Sequence, residues 1–402
     1  MKRKAFFLIV LFMSMTVLSG CWSRKELTDL AFVIAVGLDK TKDGRYMATF
    51  QVVNPGNVAG ATQRGGGSGG VPITLYKATG DNLVEASRKG SQKISRLIYY
   101  AHTNLIVIGE EMAKEGIGPL FDAMERNPQF RTTAIVVIAR HRTAEEMLKI
   151  LTPIDKLPAN QMIKTLQFTE KTWGQNISVH VGEVINDLTS EGKEPVISGF
   201  RLVGGVQEGE RQTNVQESEP DARLSADDLA ILKDGKLVGW ISGKAARGVL
   251  WGLDKIEQTV ITIDWKHKQE AIAYKVVRAK TSVSADMKKG KPVVSVHIGA
   301  EGDVGEALVP LDFSDPQEIF ALEKKIQKEI RQEIIKAIER AQQEKSDIFG
   351  FGEALHRSDP QEWKKIKADW NDTYFPQLEV KVSVDASIRR TGLRNKPYMF
   401  GR

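Results

Sequence analysis

The sequence predicts an α+β protein of several domains. The chain has 402 residues, which is more than one hydrophobic core usually organises. In the first third, short apolar runs alternate with segments of helical periodicity, a pattern typical of a sheet flanked by helices. Alternating strands and two strong helix starts dominate the last third. The hydrophobic content of 41% and the charged content of 27% are those of a folded globular protein.

Residues 1–20 predict a signal peptide. Lys2, Arg3 and Lys4 form a basic start, and an apolar run over residues 5–17 follows. This run is too short to span a bilayer as a helix, since that takes about 20 residues. We therefore expect the mature body to begin after residue 20.

The end of this peptide predicts lipid attachment. Leu18, Ser19 and Gly20 form a lipobox in front of Cys21, the only cysteine of the chain. In this interpretation the peptide is cut before Cys21, which then carries S-diacylglycerol and N-palmitoyl groups. Two or more acyl chains anchor a protein stably, whereas a single chain binds reversibly. An uncleaved signal anchor and a secretory peptide with a chance cysteine are the alternatives.

The net charge gives no indication of a nucleic-acid partner. The chain carries +6, but three of these charges lie in the signal peptide, so the mature body is only weakly basic. With Cys21 acylated, no disulfide can form within the chain, so packing must stabilise the fold.

The N-terminal α/β domain is predicted at residues 21–152. An apolar run over residues 30–38, a turn at residues 42–44 and an alternating pattern over residues 46–53 predict an antiparallel hairpin. Helices and strands then alternate, with helices at residues 81–98 and 112–126 and strands at residues 105–108 and 134–139.

The middle domain is predicted at residues 153–254. It combines a short helix at residues 183–189, a strand at residues 196–203, a hairpin over residues 229–241 and a closing helix at residues 245–251. Residues 204–223 have almost no large apolar side chains, so we expect an exposed loop that cannot order itself.

The C-terminal α+β domain is predicted at residues 255–402. Strand patterns at residues 259–264, 271–277 and 293–298 belong to an antiparallel set, and residues 378–388 predict a long one-sided strand.

Two helices in this domain are predicted to begin with the same sequence pattern. Asp315 and Asp359 are each followed by Pro, Gln and Glu, which gives an acidic cap, a proline in the first turn and an acid at the third position. The first helix carries an isoleucine stripe over residues 319–338, which we interpret as core, with a partner-binding face as the alternative. The second helix places Trp363 and Trp370 together.

A search for catalytic, metal and cofactor motifs finds none. The glycine-rich residues 65–70 lack the Lys and Ser or Thr that end a phosphate loop, so we interpret them as a linker. Gly350 and Gly352 lack the context of a dinucleotide turn and are expected to end the long helix. The histidines have no spacing suited to zinc; they are His102, His141, His180, His267, His297 and His356.

Five blocks of sequence carry a family resemblance. They are residues 21–26, which open with Cys-Trp; residues 27–40, LTDLAFVIAVGLDK; residues 96–108, RLIYYAHTNLIVI; residues 236–251, KLVGWISGKAARGVLW; and residues 347–370, with DIFGFGEALHR and EWKKIKADW. Together and in this order they resemble the Ger(x)C family of spore-germination lipoproteins, over essentially the whole mature chain. Ser23 stands where an acid is common in the family, and it affects no proposed role.

The resemblance implies the lipid-anchored C subunit of a nutrient germinant receptor, on the extracytoplasmic face of the inner membrane of a Gram-positive spore. Two integral membrane subunits, of the A and B type, would be its partners. The resemblance also implies three domains, each with a mostly antiparallel or mixed sheet surrounded by helices, and no enzymatic activity. We expect that the small-molecule germinant is not bound directly.

Two other classes of function are the alternatives. A lipid-anchored extracytoplasmic solute-binding protein is the main alternative, and an envelope hydrolase is the third. The sequence shows no duplicated α/β halves around a cleft, as solute receptors usually have. It also shows no recognisable nucleophile or metal set for a hydrolase.

Overall fold

The computed structural model describes residues 3–6, 26–59 and 70–390. Their strands form two sheets, one of ten strands and one of four. The strands of the larger sheet are β1 (Leu30–Lys40), β2 (Tyr46–Val53), β3 (Ile73–Gly80), β4 (Leu97–Tyr99), β5 (Leu105–Gly109), β6 (Ile135–Ala139), β7 (Val179–His180), β8 (Val196–Val203), β9 (Arg223–Lys233) and β10 (Lys236–Ile241).

The larger sheet is mixed. Its order is β10-β9-β8-β6-β5-β1-β2-β3, with β4 beside β1 and β7 beside β6. The central strands β1, β5, β6 and β8 are parallel, whereas hairpins complete both edges with antiparallel pairs. Strands from both sides of residue 153 therefore pair in one sheet. The domain boundary between residues 152 and 153 remains a prediction from the sequence.

Helices cover both faces of this sheet. They are α1 (Pro55–Ala59), α2 (Leu83–Ser91), α3 (Glu110–Glu115), α4 (Gly118–Glu125), α5 (Ala144–Lys149), α6 (Pro158–Thr172), α7 (Val181–Thr189), α8 (Val206–Gly209) and α9 (Gly243–Gly252). Val107 of β5 packs in the cluster that contains α5 and α6, and its neighbour Ile106 packs in the cluster that contains α3, α4 and α7. Burial on both faces explains why the central strands are continuous apolar runs.

The C-terminal layer is a four-stranded sheet with helices. Its strands lie in the order β11 (Thr259–Trp265), β12 (Lys268–Lys288), β13 (Lys291–Ala307) and β14 (Glu379–Arg390), and β14 is parallel to β13. Between the last two strands lie α10 (Pro316–Gln343), α11 (Phe351–Ser358) and α12 (Pro360–Ile366). One π-helical turn, Trp370–Tyr374, precedes β14.

The α+β class is confirmed, and most local predictions hold. The side chains of Asp315 and Asp359 accept hydrogen bonds from the first turns of α10 and α12, as the repeated helix start predicts. The stripe of α10 is core, since Leu322, Ile326, Ile330 and Ile334 are fully buried.

Two helix predictions need correction, and some helices were not predicted. The helix predicted at residues 81–98 ends at Ser91, because residues 97–99 pair with β1 as β4. The helix predicted at residues 112–126 is two helices, broken at Gly116, whose φ of 135° leaves the helical region. Five helices were not predicted at all: α1, α5, α6, α8 and α11.

The prediction that glycines end the long helix is also wrong. Helix α10 stops at Gln343, and Gly350, with φ of 73°, instead lies just before α11 as its N-cap. A left-handed backbone favours glycine at this position.

A buried amide helps to hold residues 204–223 against the rest of the chain. Asn214 is 2% exposed, and it donates to the carbonyls of Leu151 and Ala222 and accepts from the N–H of Ala222. Most of the segment is exposed, as predicted, but it is not structureless, because Val206, Val215 and Ala222 also pack against a core cluster.

Two predictions fall largely outside the described residues. The signal peptide does so apart from residues 3–6, and the glycine-rich linker does so apart from Gly70. Among the helices that the structure describes, none combines the length and the apolar character needed to cross a membrane.

Candidate functional site

The predicted acylation site is not part of the described structure. Leu18, Ser19, Gly20 and Cys21 all lie between the described residues 3–6 and 26–59. The site therefore remains a prediction from the sequence. What the structure does show is how the C-terminal layer is joined to the larger sheet.

A buried ion pair forms the first of these junctions. Arg247 of α9 and Glu333 of α10 are each 3% exposed at the side chain. Arg247 donates from Nε to Oε2 at 2.9 Å and from Nη2 to Oε1 at 2.5 Å, so the pair is bidentate. Trp251 donates from Nε1 to the same carboxylate at 3.3 Å. Bidentate pairing fixes the relative orientation of two helices as well as their distance.

The same guanidinium also reaches β11. Its Nη1 donates to the Val260 carbonyl at 2.7 Å and to Thr259 Oγ1 at 3.3 Å. Thr259 in turn donates to the Trp173 carbonyl, just beyond α6. Gly248 makes this close approach possible, because a Cβ there would overlap the Glu333 carbonyl. One arginine thus connects α9, α10 and β11.

A carboxyl network forms the second junction, and it consists of Glu194, Asp347 and Asn371. Asp347 is completely buried and accepts hydrogen bonds from the backbone N–H groups of residues 349, 351 and 352 and from Trp370 Nε1. Its own backbone N–H donates to Asn371 Oδ1, and its carbonyl accepts from the Glu194 N–H. The Asn371 amide donates to the Glu194 carboxylate at 2.7 Å.

Burial perturbs both carboxyls of this network. It raises the pKa of Asp347 to about 6, against the opposing effect of the N–H donors around it. Burial, followed by the neighbouring Asp234 carboxylate, raises the pKa of Glu194 to about 7. Among the described residues, no Lys or Arg forms an ion pair with either carboxyl. These groups therefore titrate close to neutral pH while holding a junction together.

Close backbone packing accompanies the network. Gly192, which precedes β8, and Gly352 of α11 lie against each other, and the indole of Trp363 covers both. A Cβ on Gly352 would lie 2.6 Å from the Cα of Gly192. The network and these glycines make a tight junction between the larger sheet and residues 347–371.

A third polar cluster lies within the larger sheet. Arg140, at the end of β6, pairs with Asp227 and Asp228 of β9, and its guanidinium lies 4.9 Å from the ring centre of Trp240 in β10. This cluster connects β6 with the hairpin at the edge of the sheet.

An apolar cavity of about 190 Å³ lies between α2, α4 and the larger sheet. Phe50, Tyr100 and Phe130 contribute aromatic walls, and Arg88 and Asn127 supply polar groups. The Tyr100 hydroxyl already hydrogen-bonds to Ser87, so the cavity wall is largely apolar. A cavity of this size accommodates a small apolar group, since engineered cavities of about 150 Å³ bind benzene.

The histidines do not come together. His141 is paired with Glu110, His180 caps α7 with Glu183, and His297 lies near Asp385. Over the described ranges, no three His, Cys, Asp or Glu side chains are grouped as a metal site.

Sequence reasoning missed the residues of both junctions. Glu333 follows Ile326 by seven positions and Ile330 by three, so it lies on the apolar stripe of α10. A charged residue on such a stripe indicates a buried partner. Asp347 is followed by Ile-Phe-Gly-Phe-Gly, and this apolar context was the available indication of its burial.

Two family models match the chain. The model described as the spore germination protein N-terminal domain matches residues 23–202. The model described as spore germination B3/GerAC like, C-terminal, matches residues 227–392.

Several proteins are similar along their whole length. The chain is 40% identical to spore germination protein KC of Bacillus subtilis strain 168, over 99% of this chain and 98% of that protein. It is 24% identical to spore germination protein B3 of the same strain, over 98% of this chain and 100% of that protein. It is 25% identical to spore germination protein A3, also of that strain, over 96% of this chain and 98% of that protein.

One solved structure shares the fold. The crystal structure of the GerBC protein superposes with a TM-score of 0.55 at 18% identity, over 88% of this chain and 96% of that chain. This likeness supports the α+β architecture.

Proposed function

Because the chain belongs to the Ger(x)C family of spore germination proteins, we propose that it is the lipid-anchored C subunit of a nutrient germinant receptor. In this role it is required for germination in response to nutrients. The observation that carries the proposal is the 40% identity to a spore germination protein over 99% of the chain.

The proposed location is the extracytoplasmic face of the spore inner membrane. Cys21, with S-diacylglycerol on its sulfur and N-palmitoyl on its amino group, holds the body there. The lipobox of Leu18, Ser19 and Gly20 after a short apolar run supports this anchor.

The proposed mode of action is protein contact without catalysis. Two integral membrane subunits, of the A and B type, are the partners. Arg247, Glu333 and Asp347, three charged side chains buried in the described structure, bind other elements of the chain itself, so we assign them to the stability of the fold.

The anchor is tested by Cys21→Ala. This variant should leave the membrane fraction after a salt and carbonate wash, in cells that lack the two partner subunits, and it should take up no radiolabelled palmitate. A wild-type chain that takes up no label, with a variant that stays on the membrane, would contradict the anchor.

The role in germination is tested by deleting the gene. Spores without the protein should fail to germinate with the cognate nutrient, whereas a trigger that bypasses the receptors should still work. Normal germination with every nutrient would remove the proposal.

A second candidate function, solute binding, is favoured by the cavity beneath α2. Calorimetry of the purified protein with the cognate nutrient separates the two. The receptor-subunit proposal expects no binding, whereas a Kd below about 100 μM, near 5.5 kcal/mol of free energy, supports solute binding. The variant Ala123→Leu, which narrows the cavity, should then abolish the signal, because Ala123 lines it.

A further inference from the structure

The start of β1 carries an exposed apolar and aromatic surface. We call it the aromatic patch, and it consists of Leu27, Phe32, Leu97, Tyr99 and His102. Leu27 is 73% exposed and Leu97 is 48% exposed. His102 is exposed as well, whereas Phe32 and Tyr99 are half-buried. The three rings touch each other, with centroids 6.0 Å apart for Phe32 and Tyr99 and 5.4 Å apart for Phe32 and His102. Exposed large apolar side chains that are grouped in this way mark an interaction surface.

Strand pairing holds the patch together. β4 runs parallel to the first residues of β1, so Leu97 lies beside Leu30 and Tyr99 beside Phe32. Farther along β1, helix α5 covers the strand, and Leu148 packs directly against Gly37. The patch thus lies at the first end of β1, which is the end closer in sequence to the mature N-terminus.

The chain between Cys21 and the patch is short. Six residue steps separate Cys21 from Leu27, and even a fully extended chain covers only about 20 Å over that length. A folded body of this size has a radius of gyration of about 21 Å, so it is wider than the tether is long. The surface next to Leu27 must therefore face whatever holds Cys21.

Resting on the proposed acylation of Cys21, we propose that the aromatic patch lies in the headgroup and upper acyl region of the lipid bilayer. Tyrosine and histidine have an apolar ring with a polar tip, which suits the boundary between water and acyl chains. The exposed leucines contribute apolar area that would otherwise remain in water.

Charge contributes little to this contact. Arg24, Lys25 and Arg96 lie next to the patch in the sequence, and Glu26 and Asp29 nearly balance them. The contact between the patch and the bilayer should therefore depend on the burial of apolar side chains. Raising the salt concentration from about 0.1 M to 1 M shortens the Debye length from about 10 Å to about 3 Å, and this should leave the contact unchanged.

The test uses the full acylated protein in vesicles of phosphatidylethanolamine and phosphatidylglycerol. Because Cys21 is the only native cysteine and its thiol is acylated, Leu97→Cys supplies one free thiol for an environment-sensitive fluorophore. The matched control is Phe320→Cys on α10, where the native side chain is 58% exposed. The quencher is a phospholipid with a nitroxide on its acyl chain.

The label at position 97 should lose fluorescence several-fold in quencher vesicles, and the label at position 320 should not. An unquenched label at position 97, on protein that floats with the vesicles, would overturn the inference and leave the anchor standing. Quenching that requires the partner subunits would assign the patch to a protein contact instead. If wild-type Cys21 itself reacts with the fluorophore and the protein does not float, both the anchor and the inference fail.

Discussion

The buried ion pair between α9 and α10 should control the stability of the whole protein. In Arg247→Met, the Glu333 carboxylate stays 3% exposed and keeps only the Trp251 indole at 3.3 Å as a donor. The Val260 carbonyl loses a donor as well. Removing one member of a buried pair costs about 3–5 kcal/mol, because the remaining charge is neither solvated nor compensated.

The size of this effect can be checked by unfolding the purified protein in urea while following tryptophan fluorescence. At an unfolding entropy of about 2.1 cal/mol/K per residue, a chain of about 380 residues loses about 1.2 °C per kcal/mol, so Arg247→Met should also lower the Tm by roughly 4–6 °C. Glu333→Leu should cost a similar amount. The double variant should recover to within about 1 kcal/mol of the wild type, because no charge is then left buried.

The matched control is Arg126→Met. Arg126 forms its pair with Asp122 on the surface of α4, where the side chains are 77% and 61% exposed, so its loss should change stability little. Two results would refute the reasoning. One is a cost below about 1 kcal/mol for Arg247→Met, and the other is a double variant as unstable as the sum of its two single changes.

Three further predictions concern the carboxyl network, the glycine packing beside it and the buried amide of Asn214. Because burial raises the pKa of Asp347 to about 6 and that of Glu194 to about 7, the folded state binds more protons, and stability should fall as pH rises from about 5 to about 8. Across this pH range, the urea concentration at the unfolding midpoint should fall less steeply in Glu194→Gln than in the wild type. An equal slope in both proteins would contradict the raised pKa of Glu194. Gly352→Ala should cost about 1–3 kcal/mol by overpacking, whereas Gly299→Ala, which meets no atom within 4 Å, should not destabilise; equal costs would speak against the tight junction. Asn214→Ala should open residues 204–223 to limited proteolysis, and a cleavage rate equal to that of the wild type would show that the amide does not hold the segment.

Local chemistry made much of the fold predictable from the sequence. The hairpin of β9 and β10 follows from Lys233, Asp234 and Gly235, since Asp234 and Gly235 both take positive φ. The starts of α10 and α12 follow from their acidic caps, because a cap acts within one turn.

Long-range contacts account for what the sequence did not reveal. Nothing in the local sequence after α2 indicates that the short strand β4 pairs with β1, because its partner lies far away in the sequence. The full length of β12 depends on β13 opposite it, as the pairing from Ile272 to Lys288 shows. The partners Arg247 and Glu333 are 86 positions apart, so only folding brings them together.

The order of strands in the larger sheet determines when a chain that emerges from its N-terminus can complete the sheet. The N-terminal family segment ends at residue 202, yet β8 needs β9 to cover its edge, and Arg140 needs Asp227 and Asp228. A chain that crosses a membrane from its N-terminus cannot close this sheet until residue 241 has emerged. Until then the edge of β8 has unpaired backbone groups that can pair wrongly with other strands, so the incomplete chain is prone to misfolding and aggregation.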